Sequence, residues 1–251
     1  MFQVHDAAIK AALHGAPDKL IQPPQQQRSR DRQRALLSAG LKLTENRDWE
    51  EVTIAEIAAQ SGFSVGSFYT RFPDKQAYLD VLISLVAEQV QRHMDTFIQE
   101  LRTHDQGYLN TLTRFVEQAI QTHIKLRGIF RMSILLRRKS KATHLATHTA
   151  TNTLHPHPFT QMRLYSCGQF VELMLRYMDK DDEASRVSLS FAHQMMNSTL
   201  VNAILTDPGP FHVEDAEFKA EMINAINAYL SGHLHRSHKL TMKAAMKGLQ
   251  A

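Results

Sequence analysis

The stretch of sequence that decides the fold is residues 53–75. It reads Thr53-Ile54-Ala55-Glu56-Ile57-Ala58-Ala59-Gln60-Ser61-Gly62-Phe63-Ser64-Val65-Gly66-Ser67-Phe68-Tyr69-Thr70-Arg71-Phe72-Pro73-Asp74-Lys75. Thr53 and Glu56 have the spacing of a capping box, which predicts that a helix begins there. Gly62 stands where that helix must end, because glycine adopts a positive φ without a Cβ clash. Ser64 is suited to cap a second helix. The pattern therefore predicts a helix-turn-helix, the plan of a DNA reader.

The second helix of this motif has an apolar and a polar side. Phe68 and Phe72 lie four residues apart and are predicted to face inward. The side chains that mostly point elsewhere are Val65, Ser67, Tyr69, Thr70 and Arg71. Close approach to base edges requires small and hydroxylated side chains, and this face supplies them. Beyond the motif, Asp74 is suited to cap a long helix that is predicted to run to about Leu101.

Residues 30–82 resemble the N-terminal domain of the TetR family of bacterial one-component transcriptional regulators. The most diagnostic part is residues 62–75, which follow the family pattern Gly-Phe-Ser-x-Gly-x-x-Tyr-x-His-Phe-x-x-Lys except that Arg71 stands at the His position. The DNA-binding residues implied by the resemblance are Thr53, Ser64, Val65, Gly66, Ser67, Tyr69, Thr70, Arg71 and Lys75.

The resemblance also implies a role for most of these residues. It assigns phosphate contacts to Thr53, Tyr69 and Lys75, and base-edge readout to Val65, Gly66, Ser67 and Thr70. Gly66 lets the backbone approach DNA closely, and Val65 is suited to pack on a thymine methyl group. Arg71 is expected to keep or strengthen the phosphate contact of the usual histidine.

Composition limits the class of protein without identifying it. The 251 residues are enough for a small domain and a larger one, each with its own core. A hydrophobic content of 43% and a charged content of 22% are those of an ordinary globular protein. No apolar run approaches the roughly 18 residues of a membrane span, and no signal-like core begins the chain, so we expect a cytoplasmic protein without a membrane partner. The net charge of +4 permits nucleic-acid binding without requiring it.

The rest of the chain is helical in pattern and shows no strand signals. Helices are predicted near 107–124, 126–140, 158–179, 183–205 and 213–232. The expected fold is all-α, with an N-terminal three-helix helix-turn-helix DNA-binding domain followed by a larger helical ligand-binding and dimerisation domain. The predicted divisions are a flexible extension over 1–27, the DNA-binding domain over 28–75, the larger domain over 76–235 and a tail over 236–251.

A cluster of arginines begins the first helix, which is predicted to run from about Arg30 to Asn46. Arg28, Arg30, Arg32 and Arg34 alternate along residues 28–34. One interpretation is a solvated, charged helix entry, which is the usual fate of such runs. The other is phosphate contact, or an arm that enters the minor groove. The sequence does not separate these two readings.

The larger domain has a charge asymmetry. No acidic residue lies between Glu117 and Glu172, whereas lysines and arginines recur there. The run 137–141 is suited to a helix C-terminus, where the dipole favours cations. Arg127 and Arg131 instead lie four apart beside Phe130, a spacing that fits a carboxylate or phosphate at the edge of an apolar pocket.

Later aromatic and methionine residues extend this hypothesis. Phe170 and Met174 are candidates for the same pocket, because methionine adapts its shape to a ligand or to a core. Their helical spacing is also typical of plain core residues, which is the commoner case. A small-molecule effector, anionic or amphipathic, is therefore expected.

The last two predicted helices carry more apolar residues than one protomer would cover. The resemblance makes them the four-helix interface of a homodimer, which would present two recognition helices to a pseudo-palindromic operator in double-stranded DNA. The 14 histidines form clusters only at His155-Pro156-His157 and among His233, His235 and His238. Neither cluster has carboxylate or thiolate partners at ligand spacing, so no metal site and no cofactor are predicted.

An enzyme is not predicted, since the chain lacks a glycine-rich phosphate loop, a nucleophile elbow and a His-Glu-x-x-His motif. One cysteine, Cys167, excludes a disulfide framework. The sequence therefore predicts a ligand-responsive, DNA-binding transcriptional regulator, with repression as the family's usual mode. The alternative is a helical partner-binding or small-molecule-binding module without sequence-specific DNA activity.

Overall fold

A computed structural model of the chain describes residues 27–45, 47–104, 106–133 and 158–232. The first helices are α1 (Gln27–Leu43), α2 (Ile54–Ser61), α3 (Val65–Tyr69) and α4 (Lys75–Thr103), with a short 3₁₀ helix at Trp49–Glu51 before α2. Then come α5 (Tyr108–Lys125) and α6, whose described residues are 127–133. The last are α7 (Pro158–Met174), α8 (Glu183–Thr206) and α9 (Ala216–Leu230), with a second 3₁₀ helix, Leu175–Tyr177, after α7. The predicted all-α fold is confirmed.

Helix ends differ from the predictions where a side chain or a tighter turn ends the α-helix. Helix α1 ends at Leu43, earlier than predicted, because the Thr44 hydroxyl donates to the carbonyls of Gly40 (2.9 Å) and Leu41 (3.0 Å). The helix predicted over 158–179 is α-helical only to Met174 and then tightens into the second 3₁₀ turn. Asp74 caps α4 as predicted, since its Oδ1 accepts from the Ala77 amide at 2.7 Å.

The chain divides into two compact units. Of the described residues, those within 27–92, 126–133 and 158–162 form the first, and those within 93–125 and 163–232 form the second. Helices α4 and α7 each contribute residues to both units. The domain limits predicted from the sequence, with a division after residue 75, stay a prediction.

The first unit is built around a buried tyrosine. The Tyr78 hydroxyl donates to the Leu36 carbonyl at 2.8 Å, and its ring lies between Phe72 and Phe68, with centroid distances of 4.9 and 5.2 Å. Trp49 stacks on the same ring at 5.8 Å with an interplanar angle of 3°. A Cβ at residue 40 would lie 1.8 Å from the Tyr78 hydroxyl oxygen, so only glycine fits there. The tyrosine thus joins α1, α3 and α4.

The second unit has a larger core from α4, α5 and α7 to α9. Phe115 and Phe170 pack at a centroid distance of 4.8 Å, and both are almost completely buried. Two histidines are buried in the same unit. Nδ1 of His123 lies 2.8 Å from the Ala119 carbonyl oxygen, and Nε2 of His193 lies 3.1 Å from the Ser166 hydroxyl. Among the described residues, no helix is both long and apolar enough to cross a membrane.

Candidate nucleic-acid interface

The first helix of the motif, α2, begins at the predicted capping box. The Glu56 amide donates to Oγ1 of Thr53 at 3.2 Å, and the Thr53 amide donates to Oε2 of Glu56 at 2.8 Å. Arg47 reinforces this cap, because its Nη1 donates to the same carboxylate at 2.7 Å. The bond from Arg47 and those from Thr53 lower the pKa of Glu56 to about 2. The start of α2 is therefore fixed by charge as well as by geometry.

Gly62 closes α2 as predicted. Its φ is 76°, in the left-handed region, and its amide donates to the Ala59 carbonyl at 3.1 Å. The next amide, of Phe63, donates back to Ala58 at 2.9 Å. These bonds satisfy carbonyls at the end of α2 and turn the chain sharply into α3. A side chain at residue 62 would be strained by the backbone angle, although no atom lies near its Cβ position.

Helix α3 is stabilised by hydrogen bonds between its own residues and the residues that cap it. Oγ of Ser64 accepts from the Ser67 amide at 3.2 Å, and the Thr70 hydroxyl donates to the Gly66 carbonyl at 2.8 Å. Phe68 points into the core and is fully buried. The opposite side is open, since Val65 is 41% and Tyr69 is 52% exposed. A five-residue helix thus presents a firmly held outer face of small, hydroxylated and aromatic side chains.

Gly66 lies on this exposed face. A Cβ built there would meet only Oγ of Ser64, at 3.7 Å, which is an ordinary van der Waals distance. Packing inside the chain therefore does not require glycine at this position. By contrast, Gly62 has a backbone angle and Gly40 a close neighbour that require it.

Arg71 and Lys75 are both half-buried and held by the first unit. Arg71 donates to the hydroxyl and carbonyl oxygens of Ser29, near the start of α1, and burial together with Arg32 lowers its pKa. Nζ of Lys75 donates to the Trp49 carbonyl at 2.8 Å and lies 4.5 Å from the centre of the Trp49 ring. Burial lowers the pKa of Lys75 as well. The hydrogen bonds of both cations therefore stabilise the positions of α3 and α4, in addition to any contact that the cations make with DNA.

The arginines at the start of α1 occupy different settings. Arg32 lies over the Phe63 ring at 5.4 Å, and Arg34 pairs with Asp31 at 3.1 Å. Arg28 is exposed, and Arg30 is half-buried. The helix-entry interpretation and the DNA-arm interpretation both remain predictions.

Sequence reasoning missed Trp49 and Arg47, which contact the helices that carry this surface. Trp49 links Tyr78 to Lys75, and Arg47 reaches the α2 cap. One signal was available, because Trp49 is the chain's single tryptophan and stands four residues before Thr53 of the capping box. Such a residue in a short connecting segment often anchors it to a core.

The five predicted ligand residues fall in different units. Arg127, Phe130 and Arg131 belong to the first, where Phe130 packs on Phe159 at 4.9 Å and Arg131 lies 3.7 Å from Asp48. Phe170 and Met174 belong to the second, and both are fully buried in its core. The histidine clusters at 155–157 and 233–238, the basic run 137–141 and the extension 1–26 lie outside the described residues.

The second unit also has an open groove between α4 and α5. Its volume is about 300 Å³, and its lining residues are His93, Thr96, Phe97, Glu100, Arg114, Glu117, Gln118 and Gln121. Arg114 lies 5.7 Å from the centre of the Phe97 ring and 3.9 Å from Glu100. Lys219 pairs with Glu117 at 2.9 Å. Both glutamates that line the groove are therefore paired with a cation, Glu100 with Arg114 and Glu117 with Lys219.

The comparisons with known proteins agree with this architecture. Residues 36–81 match the family model for bacterial regulatory proteins of the tetR family. A structure described as a TetR-family transcriptional regulator from Mesorhizobium loti superposes with a TM-score of 0.61 at 17% identity, covering 83% of this chain and 100% of that one. A TetR-family transcriptional regulator from Streptomyces coelicolor gives 0.54 at 17%, covering 79% and 82%.

No curated protein matches the chain. At 17% identity the two structural likenesses establish a shared fold alone, so the sequence match rests on residues 36–81. Those residues contain all of α2 and α3 and the start of α4, which is the surface described above. Residues 36–81 therefore match the model of the tetR family of bacterial regulatory proteins, and the chain shares its fold with the two TetR-family structures.

Proposed function

We propose that the protein is a transcriptional repressor that binds a pseudo-palindromic operator as a homodimer and releases it when a small molecule occupies the second unit. The observation that carries the DNA-binding part is the outer face of α3. It is exposed, rigidly capped at Ser64, and includes a glycine at residue 66 that packing within the chain does not require. Close approach of a second molecule's backbone or bases explains that glycine.

The proposed contacts divide into positioning and readout. Tyr69, half exposed at the end of α3, and Thr53, exposed at the start of α2, are proposed to contact phosphates. Val65, Gly66, Ser67 and Thr70 lie on or beside the outer turn of α3 and are proposed to read base edges. Lys75 and Arg71 are proposed to contribute positive charge next to α3. Their hydrogen bonds to Trp49 and Ser29 are proposed to hold the orientation of this helix.

The experiment that tests these roles compares Tyr69→Ala with Ser67→Ala. Loss of a phosphate contact weakens binding to all duplexes by a similar factor, whereas loss of a base contact changes which duplexes are preferred. Selection of bound duplexes from a random pool, repeated for each variant, separates the two effects. An unchanged preference for Ser67→Ala would contradict its role, and a changed preference for Tyr69→Ala would contradict the positioning role.

The proposed dimer interface is the outer face of α8 and α9. Val187 is 56%, Phe191 46% and Tyr229 37% exposed, and the rings of Phe191 and Tyr229 lie 5.7 Å apart. A contiguous apolar face of this kind is typical of protein association. Phe191→Asp is expected to give monomers in sedimentation experiments, with Val65→Asp as a matched control that remains dimeric. A dimeric Phe191→Asp protein would argue against this face.

The proposed effector is anionic or amphipathic, and the second unit is its site. Phe170 and Met174 are core residues in this structure, so a ligand that reaches them must displace part of the core. Arg127 and Arg131 belong to the first unit, so their proposed attraction for an anionic group is separate from that core. Once such an effector is found, an unchanged response in Arg127→Ala and Arg131→Ala would show that neither arginine binds it.

A further inference from the structure

Gly128, in α6, touches the segment that follows α1. A Cβ at residue 128 would lie 1.9 Å from the Thr44 carbonyl oxygen and 3.0 Å from its carbon. The Arg47 carbonyl oxygen would be only 3.3 Å away. All of these neighbours are backbone atoms, which cannot rotate aside as a flexible side chain can. The backbone of α6 therefore lies directly on Thr44 and Arg47, and glycine alone permits this distance.

The residues around Gly128 hold α6 in that position. Ile129, Met132 and Ser133 are each no more than 2% exposed. Nη1 of Arg131 lies 3.7 Å from Oδ1 of Asp48, so an ion pair stands beside the backbone contact. Gly128, Thr44 and Asp48 all belong to the first unit. We call this contact, made by Gly128 and Arg131 with residues 44–48, the α6 contact.

The segment touched by α6 connects directly to the first helix of the helix-turn-helix and indirectly to the second. Arg47 donates to Glu56 at 2.7 Å and so reaches the capping box of α2. Trp49 accepts from Lys75 at 2.8 Å and stacks on Tyr78. The Tyr78 ring in turn packs on Phe68 of α3 at 5.2 Å. A displacement of this segment would therefore be transmitted to α2 through the hydrogen bond of Arg47. It would be transmitted to α3 through the packing of Trp49 on Tyr78 and of Tyr78 on Phe68.

We propose that the α6 contact positions the DNA-binding helices, and that Gly128 is the residue that makes it possible. This inference rests on the proposed function, because the output that it positions is operator binding. A ligand can regulate binding only if it has different affinities for two arrangements of the protein. The Gly128 contact fixes one such arrangement in terms of named atoms.

The test compares Gly128→Ala with Gly168→Ala in the full-length chain. Both glycines lie in helices, but no atom lies within 4 Å of a Cβ at residue 168. Gly128→Ala is expected to speed amide exchange in residues 44–56 by about fivefold or more, because the added methyl forces α6 away. It is also expected to weaken binding to the wild-type operator by about tenfold. Gly168→Ala should change both quantities by less than about twofold.

Wild-type binding separates failure of this inference from failure of the proposed function. If the wild-type protein does not prefer any duplex in the random pool, the proposed function is wrong. If it does, and Gly128→Ala matches Gly168→Ala in exchange and affinity, the α6 contact does not position the DNA-binding helices.

A second pair of variants covers the case in which Gly128→Ala does not fold. Arg131→Glu places like charges beside Asp48 and is expected to speed exchange in residues 44–56. Asp48→Arg combined with Arg131→Glu restores opposite charges and should restore slow exchange. Equal exchange in the single and double variants would overturn the proposal, whereas rescue by the double variant would support it.

Discussion

The surface of the helix-turn-helix and the core of the second unit are stabilised in different ways. In the helix-turn-helix, the cap bonds of Thr53, Ser64 and Thr70 each close within four residues and lie at the surface. In the second unit the main contacts join distant parts of the chain, as in the bond between Thr111 and Tyr177 and the packing of Phe115 on Phe170. The cap bonds fix the helix-turn-helix surface locally, whereas the core of the second unit depends on buried contacts between distant residues.

Removing a core ring from the second unit should have the largest effect. Phe115 is 1% exposed and contacts Phe97, Phe170 and His193, so Phe115→Ala leaves a cavity that the surrounding rings cannot fill. We expect the free energy of unfolding to fall by about 3–5 kcal/mol in denaturant titrations. Tyr69→Ala, at an exposed ring, is the matched control and should cost much less. Similar losses of unfolding free energy for both variants would remove the contrast between the helix-turn-helix surface and the core of the second unit.

Mild acid should loosen the second unit before the first. Burial lowers the pKa of His123 from 6.5 to about 4, and burial together with Arg163 and His123 does the same for His193. The unfolded chain therefore binds more protons than the folded one between pH 6.5 and 4, so stability falls as the pH falls through this window. Each histidine is expected to cost about 2–3 kcal/mol at its lower end.

The Glu56 carboxylate, which caps α2, titrates in a lower pH range than the two histidines. Glu56 has a pKa of about 2 against an ordinary value of 4.5, so its stabilising contribution is present above 4.5 and is lost as the pH falls toward 2. Trp49, the single tryptophan, reports on the first unit by fluorescence, and circular dichroism reports on all helices. Ellipticity should fall at a higher pH than the tryptophan signal changes. His123→Gln should shift that loss to lower pH, and an unshifted curve would contradict the assignment.

Removing one cap should have the smallest effect. Thr53→Ala deletes the oxygen that accepts from the Glu56 amide, and we expect a loss of about 1 kcal/mol in the urea transition of Trp49 fluorescence. Thr199→Ala is a matched control, because the Thr199 hydroxyl donates within the middle of α8 and caps nothing. A cost of several kcal/mol for Thr53→Ala would mean that the first unit depends on this cap as strongly as on its buried core.

The sequence predicted the features whose causes lie close together along the chain. The capping box at Thr53, the left-handed Gly62 and the caps at Ser64 and Asp74 each follow from residues within four positions. The contacts that position this motif were not predicted. Arg71 reaches Ser29, 42 residues away, and Lys75 reaches Trp49, 26 residues away. Gly128 on Thr44 is likewise a packing outcome, since periodicity gives the face of a helix but not its neighbour.

The central claim is that the face of α3 reads DNA sequence, and fluorescence anisotropy of the purified protein tests it most directly. The labelled duplex carries the DNA upstream of the protein's own gene, a scrambled duplex is the control, and both are titrated over a range of salt concentrations. We predict tighter binding to the upstream duplex, with affinity that falls steeply with salt by about one power for each phosphate neutralised. Absence of binding to both duplexes at low salt would contradict the account.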